Sequence, residues 1–87
     1  MNIEFVWEKI CKNEGAVFRQ IRGKEFTYTV KGNLIMPSTT NYNIAKSTFE
    51  KALDFLPLEN TMPIQHLPAP SYLYAILMDD RICGKDY

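Results

Sequence analysis

The sequence is short of the residues that carry most protein chemistry. It has one histidine, two cysteines, four glycines and a formal net charge of zero over 87 residues. Cys11 and Cys83 stand far apart, in neither a CxxC pair nor a metal-ligand spacing. A disulfide framework and a zinc site are therefore excluded, and reduced thiols in a cytoplasmic protein are the simplest reading. Gly15, Gly23, Gly32 and Gly84 are scattered, so no glycine loop cradles a phosphate. The longest apolar run, Tyr72 to Met78, is about a third of the roughly 20 residues needed to cross a bilayer. Met1 to Glu4 shows no basic region leading into an apolar stretch, which argues against a secretory signal and a membrane partner. Internal repeats and low-complexity tracts are absent as well.

What is present describes an ordinary folded domain. Hydrophobic residues make up 46%, charged residues 23% and aromatic residues 13%, which argues against intrinsic disorder. A chain of this length buries roughly 60–65% of its unfolded surface, enough for one modest core. Residues 1–87 are therefore read as a single domain.

Ile3, Val6, Trp7, Ile10 and Cys11 form one stripe of an amphipathic helix over 3–13. Asn2 is suited to cap it, Glu4 lies in its first turn, and Gly15 can close it in the left-handed conformation. Residues 16–21 are β-prone and read either as a first strand with Phe18 inward or as an irregular segment. In 25–30, Phe26, Tyr28 and Val30 alternate with Thr27, Thr29 and Lys31, the period of a half-buried strand. Lys31-Gly32-Asn33 supplies a turn, and Leu34-Ile35-Met36 returns until Pro37.

A helix follows with two possible starts. Asn43 can cap it, or Ser47-Thr48-Phe49-Glu50 can form a capping box; the second is preferred, with Asn41 to Lys46 extended. Phe49, Ala52, Leu53 and Leu56 then share a stripe, and Pro57 ends it. Pro57, Pro63, Pro68 and Pro70 break up the next segment, while Met62, Ile64 and Leu67 pack it down. Residues 72–78 are apolar on all sides, compatible with a buried helix or strand. Pro70 at a first helical turn favours the helix.

Catalysis finds little support in these residues. His66 stands alone in the proline-rich segment, with no cysteine or orienting group near it in sequence. Asp79 and Asp80 are adjacent, so on a helix their side chains diverge by about 100 degrees, which suits a solvated helix end better than an acid pair. No catalytic residue, metal or cofactor is assigned.

The net charge of zero conceals an asymmetry. Residues 1–15 sum to −1 and residues 50–87 to −3, whereas residues 16–49 carry Arg19, Arg22, Lys24, Lys31 and Lys46 against Glu25 alone, a net of +4. These cations suit phosphates, and Thr39, Thr40, Asn41, Tyr42 and Asn43 add donors, acceptors and one ring for stacking. The competing reading is a solvated β-face joined to a hydrogen-bonded turn. Convergence of the five cations on one face would favour binding; pairing with Glu25, Glu50 or Glu59 would remove it.

Three stretches resemble a family of small uncharacterised bacterial proteins, a domain of unknown function. They are Gly23-Lys24-Glu25-Phe26-Thr27-Tyr28-Thr29-Val30, then Ser47-Thr48-Phe49-Glu50-Lys51-Ala52, then Ser71 to Leu77 with Asp80-Arg81-Ile82. The resemblance spans roughly residues 15–82 and implies a short cytoplasmic protein, in some members near mobile or phage-derived genes. It assigns no site residue.

The reading of the sequence is thus an α+β domain: an N-terminal helix, an antiparallel sheet of two or three strands and two further helices. Its expected role is a non-enzymatic nucleic-acid-binding or accessory module for DNA or RNA, acting as a monomer or homodimer. The candidate contacts are Arg19, Arg22, Lys24, Lys31, Thr39, Thr40, Asn41, Tyr42, Asn43 and Lys46. The alternative is a protein–protein adaptor, for which exposed Tyr42, Tyr72 or Tyr74 would serve.

Overall fold

In the computed structural model, which describes residues 2–84, Asn2 caps the first helix by accepting the Glu4 amide on its Oδ1 at 2.7 Å. That helix, α1, runs Ile3–Lys12 and buries Val6, Trp7 and Ile10, the middle of the predicted stripe. Cys11 is exposed. Beyond the helix, Gly15 has φ +85 and its amide donates to the Tyr28 carbonyl at 3.0 Å. The positive φ there suits glycine and turns the chain onto the sheet.

The chain then forms five short strands in two antiparallel sheets, β1 (Phe18–Arg19) with β2 (Glu25–Phe26), and β3 (Tyr28–Lys31) with β4 (Leu34–Pro37) and β5 (Ile44–Ala45). Of residues 16–21, only Phe18 and Arg19 are strand, and Phe18 faces inward as the β reading required. The run from Glu25 to Lys31 divides between the sheets at Thr27, which instead pairs with Ser38. The Thr27 amide donates to Ser38 Oγ at 3.0 Å and the Ser38 amide to the Thr27 carbonyl at 2.8 Å. Alternation survives the break, with Phe26 and Tyr28 buried and Thr29 and Lys31 exposed. Lys31 lies opposite Leu34 across a two-residue turn in which Gly32 has φ +59. A positive φ at the first central residue is what a type II′ hairpin turn requires.

The second helix, α2, spans Lys46–Ala52, and neither expected cap holds its start. Ala45 occupies the cap position with no side-chain hydrogen bond, and Ser47 lies inside the first turn. Strand pairing explains this: Ile44 and Ala45 are held against β4, and the Lys46 amide donates to the Asn33 carbonyl at 2.8 Å. The chain therefore passes from strand to helix with no free residue for a capping box. Past Ala52 the helix tightens into a 3₁₀ turn, Leu53–Phe55, before Pro57.

The proline-rich segment holds a second 3₁₀ turn, Met62–Ile64, that buries Ile64. The third helix, α3, runs Pro70–Leu77 with Pro70 in its first turn, and so resolves 72–78 in favour of helix. It buries Leu73, Ala75, Ile76 and Leu77, and it forms the centre of the core. Leu73, Ile76 and Leu77 each contribute roughly 1.5–3 kcal/mol relative to exposure. Trp7 packs edge-on against Phe49 at 5.9 Å, joining α1 to α2. Tyr28 spans the core to donate its hydroxyl to the Ile10 carbonyl at 2.6 Å. Burial pushes that phenol well above its ordinary pKa, so it stays protonated as a donor.

No helix among the described residues is long and apolar enough to cross a membrane.

Candidate functional site

The five predicted cations do not converge, and two of them are neutralised. Arg19 on β1 donates Nη2 to Glu25 Oε2 on β2 at 2.7 Å, a cross-strand pair in direct register. Lys46 donates Nζ to both carboxylate oxygens of Glu4 at 2.9 Å, and its side chain is 21% exposed. It also lies 6.0 Å from the Trp7 ring centroid, so its charge serves the α1–α2 junction. Neither is available to a phosphate without breaking a contact of the fold.

Arg22, Lys24 and Lys31 are exposed and form no ion pair among the described residues. They occupy two places. Arg22 and Lys24 lie in the turn between β1 and β2, where the Gly23 amide donates to Gln20 and the Gln20 amide to Lys24 at 2.8 Å each. Lys31 lies next to the turn between β3 and β4, at the far end of the run from Glu25. Six residues lie between Lys24 and Lys31, and Lys31 pairs with Leu34 at the end of β3 away from Thr27.

The polar loop belongs with the first pair. Thr39 Oγ1 is hydrogen-bonded to the Tyr72 hydroxyl at 2.6 Å, and Tyr72 packs edge-on against Phe26 at 4.9 Å. The neighbouring residue, Ser71, accepts Gln20 Nε2 on its hydroxyl at 3.4 Å. The first turn of α3 thus sits between the 39–43 loop on one side and the 20–24 turn on the other. Within the loop, Thr40 Oγ1 accepts the Tyr42 amide at 3.2 Å, while the side chains of Asn41 and Asn43 point to solvent without a hydrogen-bond partner among the described residues. Tyr42 is 48% exposed.

Between the 20–24 turn and α3 lies a cleft of about 310 Å³, lined by Gln20, Ile21, Arg22, Thr61, Gln65, Pro70 and Ser71. Only Arg22 of this set was among the sequence candidates. The others are neutral residues from three separate parts of the chain, and no local pattern marks them.

The groups with catalytic potential are occupied or isolated. His66 is exposed and stacks edge-on against Phe55 at 5.2 Å. Partial desolvation and the nearby Glu14 push the exposed Cys11 thiol up, and burial pushes Cys83 up, away from the reactive thiolate. Asp79 accepts Arg81 Nε and Nη2 at 2.8 and 2.9 Å, and these bonds hold its carboxyl below the usual carboxylate range against the opposing effect of burial. No group of three or more His, Cys, Asp or Glu side chains able to hold a metal occurs among the described residues.

No family model matches the chain, and no curated protein or solved structure matches it either.

Proposed function

We propose that this chain is a non-enzymatic binding module that contacts nucleic acid through the 20–24 turn and the 39–43 loop, on either side of the first turn of α3. One observation carries this reading: hydrogen bonds from Thr39 to Tyr72 and from Gln20 to Ser71 bring the loop and the unpaired cations Arg22 and Lys24 to one end of one helix. Arg22 and Lys24 suit phosphate oxygens. The exposed Tyr42 ring suits base stacking, which is tolerant of sequence. Lys31 lies outside this surface, and Arg19 and Lys46 serve the fold.

The test is fluorescence anisotropy at low salt with labelled DNA and RNA. Arg22→Ala plus Lys24→Ala is expected to weaken binding strongly, whereas Lys31→Ala leaves it nearly unchanged. Absence of binding by the unaltered protein, or equal losses from the two variants, refutes the assignment.

A second reading, a protein adaptor, is favoured by the exposure of Ile21 at 50% and Met62 at 73%, since solvated aliphatic side chains of this size suit a protein partner. A stoichiometric protein recovered by pull-down after nuclease treatment, and lost with Ile21→Asp, would establish it in place of the first.

A further inference from the structure

Accepting the nucleic-acid reading, we infer that the ligand is single-stranded and that one unstacked base enters the cleft between the 20–24 turn and α3, with Arg22 on its phosphate. The first support is the state of the helices. Reading a duplex through its major groove requires a helix or ribbon that projects a cationic face. On α1, Lys12 is paired with Glu8 at 3.1 Å and Lys9 donates to the Ile82 carbonyl at 3.2 Å. On α2, Lys46 is held by Glu4 and Lys51 stands exposed beside Glu50, and α3, half of whose residues are buried, carries no cation. The β3–β4 hairpin presents Lys31 alone at its tip. None of these elements offers a cationic face to a groove.

The cleft has the size and chemistry for one planar heterocycle. Its volume of about 310 Å³ lies at the lower end of small-ligand sites. Ile21 and Pro70 supply apolar surface, and Arg22 supplies a guanidinium at its rim. The two glutamines offer it hydrogen bonds. Gln20 Nε2 is directed to the Ser71 hydroxyl at 3.4 Å, and Gln65 Nε2 to the Thr61 hydroxyl at 2.8 Å. Each amide therefore keeps one N–H and its carbonyl oxygen free among the described residues, a donor and an acceptor side by side. A donor and an acceptor together suit the hydrogen-bonding edge of a splayed base without selecting cytosine over uracil.

The experiment compares labelled oligo(dC), oligo(dU) and a mixed-sequence duplex of equal length. The expected result is single-strand binding about ten-fold tighter than duplex binding, with oligo(dC) and oligo(dU) bound alike. Gln65→Ala should weaken single-strand binding several-fold and leave duplex binding unchanged, with the protein melting as before. Duplex binding equal to single-strand binding, or single-strand binding unmoved by Gln65→Ala, overturns this inference and leaves the broader reading standing. Failure of all three probes to bind refutes the broader reading itself.

Discussion

The two ends of α3 treat their arginines in opposite ways. At the C-terminal end, Arg81 is held by the fold: its side chain donates twice to Asp79, donates Nη2 to the Val17 carbonyl at 2.7 Å, and lies 4.2 Å from the Phe18 ring centroid. At the N-terminal end, Arg22 and Lys24 have no acidic partner among the described residues, and Arg22 lies at the cleft with Gln20 and Gln65. Arg81 ties the segment after α3 to the segment entering β1. A cation serving the fold is surrounded by acceptors that the fold supplies, and one left without them at a cleft suits an acceptor from outside. That contrast, rather than the number of basic residues, separates structure from candidate function here.

Truncation should expose the contrast most strongly at the Arg81 end. Phe18 is 1% exposed, packs against the Phe26 and Tyr28 rings at 6.2 and 5.2 Å, and carries Arg81 on its face. Phe18→Ala should cost about 3–5 kcal/mol in urea unfolding, a large part of the stability of a domain this size. Arg81→Ala should cost about 1–2 kcal/mol, since its hydrogen bonds are charge-assisted but its side chain is 41% exposed. Tyr28→Phe should cost about 1 kcal/mol, because the Ile10 carbonyl keeps a weaker bond from the Asn13 amide at 3.2 Å. Arg22→Ala, at the other end, should change stability by less than about 0.5 kcal/mol. A loss at Arg22 as large as that at Arg81 would abolish the distinction.

Acid sharpens the same comparison. Asp79 is held below its usual range by the Arg81 hydrogen bonds, so its contribution is fully present above the unfolded value of about 3.9 and is lost as pH falls through the lower folded value. Unfolding free energy of the unaltered protein should therefore drop below about pH 4, and Asp79→Asn should flatten that drop. An unchanged acid limb in the variant would show that the pair contributes little.

Much of the fold was legible in the sequence because its signals are local. Asn2, the stripe through Ile10 and the period-two alternation around Tyr28 each act within a few residues. The start of α2 was not legible: Ser47-Thr48-Phe49-Glu50 has the pattern of a capping box, but pairing of Ile44 and Ala45 with β4 sets where the helix begins. Charge was misjudged in the same way. Glu25 takes Arg19 across the strand pair, as its position allowed, but Lys46 finds Glu4, 42 residues away, rather than Glu50. The cleft was invisible because Gln20 and Ser71 meet only after α3 has packed under the β1–β2 turn.

The most direct measurement is the salt dependence of oligonucleotide binding by the unaltered protein and by the Arg22→Ala plus Lys24→Ala variant, with thermal melts of both. Each phosphate contact to a single strand contributes about 0.7 to the slope of log affinity against log salt, so removing two should shallow the slope by about 1.4. The account predicts that change together with coincident melting curves. Equal slopes, or no binding by the unaltered protein at low salt, would contradict it.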